Sequence, residues 1–139
     1  MEPAPAIQGL GEIALRVEDL AGMTAFYEKV VGLKLMQRFP NAAFFRIADG
    51  FAGHTQVLAL FDRAAESDYR GLSRQQTTVD HFAFEIALSN YAREKARLES
   101  LGIAIETAEH GWIQWRSLYF RDPEGNQVEF VCFDATVKD

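Results

Sequence analysis

Glu12-Ile-Ala-Leu-Arg-Val17, near the start of the chain, and His81-Phe-Ala-Phe-Glu-Ile86, past its middle, decide the fold, because they write the same strand twice. In the first, Ile13, Leu15 and Val17 fall on one face and Glu12, Ala14 and Arg16 on the other. In the second, Phe82, Phe84 and Ile86 stand opposite His81, Ala83 and Glu85. A period of two with unlike faces is that of a strand covered on one side only.

The segments after these two strands also repeat. After the first, Asp19 sits where an N-cap would, ahead of Met23, Phe26, Tyr27 and Val30, whose spacing of three and four forms one helical stripe. Gly32 is the expected stop, since glycine enters the left-handed region without a Cβ clash. Strand-like runs come next at 33–39, 43–48 and 55–61, punctuated by Pro40-Asn41 and Asp49-Gly50. After the second strand, assigned to 81–87, a helix is expected over about 89–101, with Tyr91, Leu98 and Leu101 as its stripe and Gly102 as its stop. Strands are then expected at 103–106, 113–120 and 127–133, with His110-Gly111 read as a loop. The turn Asp122-Pro-Glu-Gly-Asn126 joins the last two, with Pro setting φ and Gly tolerating its positive values.

Two copies of one order, at a spacing of about 70 residues, mean a duplicated βαβββ unit. Module one is expected over about 8–62, a charged linker over 63–79 and module two over about 80–134, all within one domain. The class is α+β: two βαβββ modules forming a cupped mixed sheet, with the helices on its outer face.

Composition narrows the classes. The 139 residues are 48% hydrophobic, enough for a real core, and the eleven Phe and two Trp point to an aromatic interior or a lined cavity. A net charge of −6 without any basic stripe argues against a nucleic-acid partner. No apolar run approaches the ~20 residues that span a bilayer, so no membrane partner is expected. One cysteine, Cys132, and an N-terminus without a basic, then apolar, leader fit a cytoplasmic protein.

Four segments, in order, resemble the vicinal oxygen chelate superfamily of glyoxalases, bleomycin resistance proteins and extradiol dioxygenases. They are Ile13-Ala-Leu-Arg-Val-Glu-Asp-Leu20, Phe26-Tyr27 with Gly32-Leu33, Asp80-His-Phe-Ala-Phe84, and Phe120-Arg-Asp-Pro-Glu-Gly-Asn-Gln-Val-Glu-Phe130. The resemblance implies metal ligands on the first and last strands of each half. Carried over, these are Glu12, His81 and Glu129, with Glu129 also the catalytic residue. The counterpart of Glu129 in the first half is Leu58 or Ala59, depending on register, and neither binds metal. Three protein ligands leave positions open for substrate on a divalent ion, whether Fe, Mn, Zn or Ni.

Alternation agrees with that set, because Glu12, His81 and Glu129 each stand opposite the bulky apolar residues of their strands. Glu129 also lies inside an apolar run, where a lone carboxylate costs several kcal/mol unless paired or metal-bound. Two features depart from the resemblance. Glu12 stands where dioxygenase-like and fosfomycin-resistance-like members carry His, so the set is not the two-His, one-carboxylate triad of iron oxygenases. The missing fourth ligand weighs against a glyoxalase I reaction.

A substrate pocket is expected to involve His54, Trp112, Trp115 and Arg116. His54 reads either as a residue of the cavity mouth or as a hydrogen-bonding residue of the loop entering its strand. The tryptophans, with Phe44, Phe45 and Phe51, either line a pocket or pack the core. Arg116 and Tyr119 fall on opposite faces of their strand, so at most one faces the cup. Cys132 falls on the helix side as an inert buried thiol. The resemblance further implies a homodimer in which Glu12 of one copy joins His81 and Glu129 of the other. Two functions are compatible with these features. One is a metal-dependent lyase, isomerase or dioxygenase acting on a small oxygenated substrate; the other is a metal-free protein that sequesters a small aromatic ligand.

Overall fold

The computed structural model describes residues 4–73 and 75–139. The chain divides into two compact units, with the boundary between Gly71 and Leu72. In the first, β1 (Glu12–Val17) leads to α1 (Leu20–Phe26), then to β2 (Lys34–Phe39), β3 (Ala42–Asp49) and β4 (Thr55–Asp62). The sheet order is β1-β4-β3-β2, with β1 and β4 parallel and the other pairs antiparallel. The Asp19 carboxylate caps α1 by accepting from the Gly22 N–H at 3.0 Å. Leu20, Met23 and Phe26 are buried, and the Tyr27 ring lies 6.4 Å from that of Phe45 on β3. That face, with Leu15, Val17, Leu58 and Leu60, is the core of the first module.

The second unit repeats the plan with β5 (His81–Glu85), α2 (Tyr91–Ser100), β6 (Glu106–His110), β7 (Trp115–Arg121) and β8 (Gln127–Phe133), ordered β5-β8-β7-β6. β5 and β8 are parallel. The Asp122–Asn126 turn closes as expected, with Asp122 Oδ1 accepting from the N–H groups of Glu124 and Asn126 at 3.0 Å each and Gly125 at φ +90°. This turn sets the β7–β8 register, so that Tyr119 faces Glu129 and Ser117 faces Val131. Leu118, Phe120, Val128 and Phe130 are buried on one face of this sheet, and Leu98 is fully buried on α2.

Some elements differ from the expectation. The last turn of the first helix widens over Tyr27–Val31 into a π-turn, in which Gly32 at φ +93° donates to Tyr27 O at 3.1 Å. A 3₁₀ turn, Leu88–Asn90, precedes α2. The strand expected at 103–106 is displaced to Glu106–His110, because Ile103 is used to end the helix. Its N–H donates to Leu98 O at 3.1 Å, and that of Gly102, at φ +77°, donates to Glu99 O at 3.0 Å, which together form a Schellman closure. Among the described residues β6 pairs with β7 alone, so as an edge strand it forms from the polar run Glu-Thr-Ala-Glu-His without an apolar face. His110 is therefore the last residue of a strand rather than a loop residue, and β7 begins at Trp115 after a turn containing Gln114 at φ +60°. Leu101, half exposed as the helix cap, falls outside the apolar stripe. Among the described residues no helix is long and apolar enough to cross a membrane.

Candidate metal centre

The face of the second sheet turned away from its apolar core carries a connected set of polar side chains. His81 opens β5 opposite Gln127, and Glu129 lies one step along β8 opposite Ala83. The alanine, with no side chain beyond Cβ, leaves room between them. Nε2 of His81 stands 3.2 Å from Oε1 of Glu129, whose side chain is only 5% exposed. On the other side of the ring, Nδ1 lies 2.6 Å from Oδ1 of Asp80. An ionised Asp80 can only accept, so the proton belongs on Nδ1 and the Nε2 lone pair of a neutral ring is aimed at a second acceptor. At 3.2 Å these two atoms share either a proton, carried on Nε2 or on the carboxyl, or a metal ion that both ligate.

The spacing suits a metal. Bonds of about 2.1 Å to one ion put neighbouring ligand atoms about 3.0–3.4 Å apart in octahedral or tetrahedral geometry. An imidazole whose other nitrogen is held by a carboxylate is also the usual preparation of a metal-binding His.

Behind Glu129 the network continues. The Ser117 hydroxyl, fully buried, donates to Oε2 of Glu129 at 2.6 Å. The Tyr119 ring meets that of His81 edge-on with centroids 5.9 Å apart, and His110 Nε2 lies 3.1 Å from the Tyr119 oxygen. Burial, then the negative charge of Glu129, pushes the Tyr119 phenol above its ordinary value, so it stays a neutral donor. Sequence reasoning does not single out Asp80, Ser117 or His110 as site residues. The signal for Ser117 was there: the 122–126 turn fixes the hairpin register and puts Ser117, Tyr119 and Glu129 on one face.

The first module places the remaining candidates differently. Glu12 is exposed at the start of β1 opposite Val57, and Ala14 pairs with Ala59. Superposing this register on that of β5 and β8 makes Glu12 the counterpart of His81 and Ala59, not Leu58, the counterpart of Glu129. His54 Nε2 lies 3.2 Å from Gly11 O, in the loop entering β4. Phe45 is core, while Phe44 packs edge-on between Phe39 and Phe61, on the opposite face.

In the second module Trp112 is 78% exposed in the turn before β7, and Trp115 is partly exposed at its start. Arg116 points to the α2 side, over the Tyr91 ring at 5.8 Å and bonded to Asp134 at 2.9 Å and Glu109 at 2.7 Å. It is thus on the face opposite Tyr119 and Glu129 and outside the polar network. Cys132 is buried on that same side, its thiol raised by burial. Among the described residues, no group of three or more His, Cys, Asp or Glu side chains converges to hold an ion.

Comparison with known proteins bears on this arrangement. The family described as Glyoxalase/Bleomycin resistance protein/Dioxygenase superfamily matches residues 9–130. A glutathione transferase FosA of Serratia marcescens is 28% identical over 127 residues, covering 88% of this chain and 79% of that protein. Among solved structures, a lactoylglutathione lyase from Agrobacterium tumefaciens is 29% identical, with a TM-score of 0.67 over 92% of this chain and 96% of its own. The fosfomycin resistance protein FosX from Listeria monocytogenes, solved in complex with Mn(II) and sulfate, is 25% identical with a TM-score of 0.66 over 93% of each chain.

Proposed function

We propose that this chain, which belongs to the Glyoxalase/Bleomycin resistance protein/Dioxygenase superfamily, is a divalent-metal-dependent enzyme of lyase, isomerase or group-transfer type acting on a small oxygenated molecule. The observation that carries the reading is the His81–Glu129 pair, two potential ligand atoms 3.2 Å apart with the far side of the imidazole anchored by Asp80. Glu12 is the third ligand by its place in the duplicated register, in a homodimer whose sites are shared between copies. A divalent ion there would hold substrate oxygens and stabilise negative charge developing on them.

The protein's own groups do the rest. Asp80 fixes the ring, and Glu129 offers Oε1 either to the ion or to a substrate proton. Tyr119 stays protonated and donates to a substrate oxygen. A set of two carboxylates and one His, together with relatives named for glutathione chemistry, favours thiol-linked chemistry over ring cleavage.

Titration calorimetry with Mn(II) on chelator-treated protein tests this. Wild type is expected to bind near stoichiometrically, and His81→Ala and Glu129→Ala to weaken binding about 100-fold or more, each by removing one ligand. Wild type that takes up neither Mn(II), Zn(II), Fe(II) nor Ni(II) overturns the reading. If metal binds, turnover of methylglyoxal or fosfomycin with a thiol, or of a catechol, separates the chemistries.

A second reading keeps one observation: a proton on Nε2 satisfies the same pair without metal. The protein would then sequester an aromatic ligand, and the exposed Trp112 would report it by fluorescence quenching in the presence of chelator.

A further inference from the structure

The geometry points to Ser117 as a positioning residue for Glu129: its hydroxyl occupies Oε2 and so reserves Oε1 for the cation shared with His81. The inference rests on reading His81 and Glu129 as a ligand pair and adds the group that makes their geometry single-valued. A carboxylate has two equivalent oxygens and a soft terminal torsion, so a buried one with no donor can turn either oxygen, or both, toward an ion. Here the Ser117 hydroxyl holds Oε2, beside the Tyr119 phenol that meets the same carboxylate. Ser117 is fully buried, its Oγ lies 2.6 Å from Oε2, and the opposite oxygen is the one that faces Nε2. A hydrogen bond to a charged acceptor at that length is of the stronger kind, and both partners are shielded from water that could replace it.

The first module supplies an internal control. Ala42 pairs with Phe61 as Ser117 pairs with Val131, and Phe44 pairs with Ala59 as Tyr119 pairs with Glu129. Ser117, Tyr119 and Glu129 therefore correspond to Ala42, Phe44 and Ala59. Where the duplicated sheet lacks the carboxylate it also lacks the hydroxyl and the phenol, although Ala42 and Ala59 are as buried as their counterparts. Sheet packing alone accepts alanine at this position, so the serine is tied to the carboxylate rather than to the fold. The step involves no bond making: Ser117 donates one hydrogen bond and fixes one torsion.

Two measurements on the full chain test it. Ser117→Ala is expected to lower Mn(II) affinity about 10- to 100-fold, the range for groups that orient a ligand, with Ser117→Thr restoring most of it by supplying the same donor. The second needs no metal. In chelator-treated protein labelled with ¹⁵N-histidine, which has only three ring systems to assign, Ser117→Ala is expected to move the His81 Nε2 resonance and leave that of His54 in place.

An unmoved His81 resonance, or Mn(II) affinity unchanged in Ser117→Ala, overturns the inference. A wild type that binds no metal instead removes the proposed function, and the metal-free resonance still reports whether Ser117 orients Glu129. Should Ser117→Ala not fold, Ser117→Cys, similar in size but a weak donor, reads the same two quantities.

Discussion

The two modules have one topology and two faces of unequal likeness. On the face that meets the helix, Phe45, Leu58 and Leu60 of the first correspond by register to Phe120, Val128 and Phe130 of the second, all buried and all apolar. On the other face Glu12, Ala42, Phe44 and Ala59 correspond to His81, Ser117, Tyr119 and Glu129. The apolar face is constrained by close packing, where a change of even one methylene is felt. The other face is free to carry chemistry in one copy and alanine in the next. The duplication thus separates what holds a βαβββ unit together from what a site adds to it.

The comparison breaks first at the core. Phe45→Ala and Phe120→Ala are each expected to cost about 3–5 kcal/mol, read by denaturant unfolding. If only one of them is severe, the two helix-facing cores are not equivalent.

Next comes an attempt to rebuild the missing carboxylate. Ala59→Glu puts an unpaired charge into a fully buried site beside Phe44, and is expected to destabilise by about 3 kcal/mol or more. Adding Ala42→Ser should recover about 1 kcal/mol by supplying the donor. No recovery in the double variant would mean that serine and carboxylate are not a unit.

The stops are a smaller matter. Gly32 and Gly102 lie at φ +93° and +77° with open space where a Cβ would go, so alanine meets conformational strain and no clash. A loss of about 1–2 kcal/mol is expected at each, measured by thermal unfolding.

The smallest effect concerns a feature of module two alone. Asp134 is held below the ordinary carboxylate range, first by the Thr136 hydroxyl and N–H and then by Arg116. A depressed folded value contributes stability that is present above the unfolded value, about 3.9, and lost as pH falls through the folded one. The stability gap between wild type and Asp134→Asn should therefore be widest near neutrality and close below about pH 4, as followed by pH-dependent urea melts.

Much of the architecture is written in the order of residues. The alternation of Glu12–Val17 and His81–Glu85, the helical stripe after Asp19 and the 122–126 turn depend on local periods and local hydrogen bonds, and the structure has each of them. The resemblance pointed to His81 and Glu129, and the parity of their strands agreed. What periodicity could not say was where an edge strand begins. The apolar Ile103 looked like strand and serves a helix end, whereas the polar 106–110 pairs because its neighbour offers an open edge.

Sequence alone therefore determined the duplicated βαβββ order, the helix-facing core and the hairpin register of β7 on β8, since each depends on side-chain period or on a turn a few residues long. Only the tertiary structure decided the parallel registers of β1 on β4 and of β5 on β8, which are set by packing across a crossover and not by any turn. Those registers make Ala59 the silent counterpart of Glu129 and bring His81 to within 3.2 Å of it. They rest on contacts between residues far apart in the chain, which no local pattern encodes.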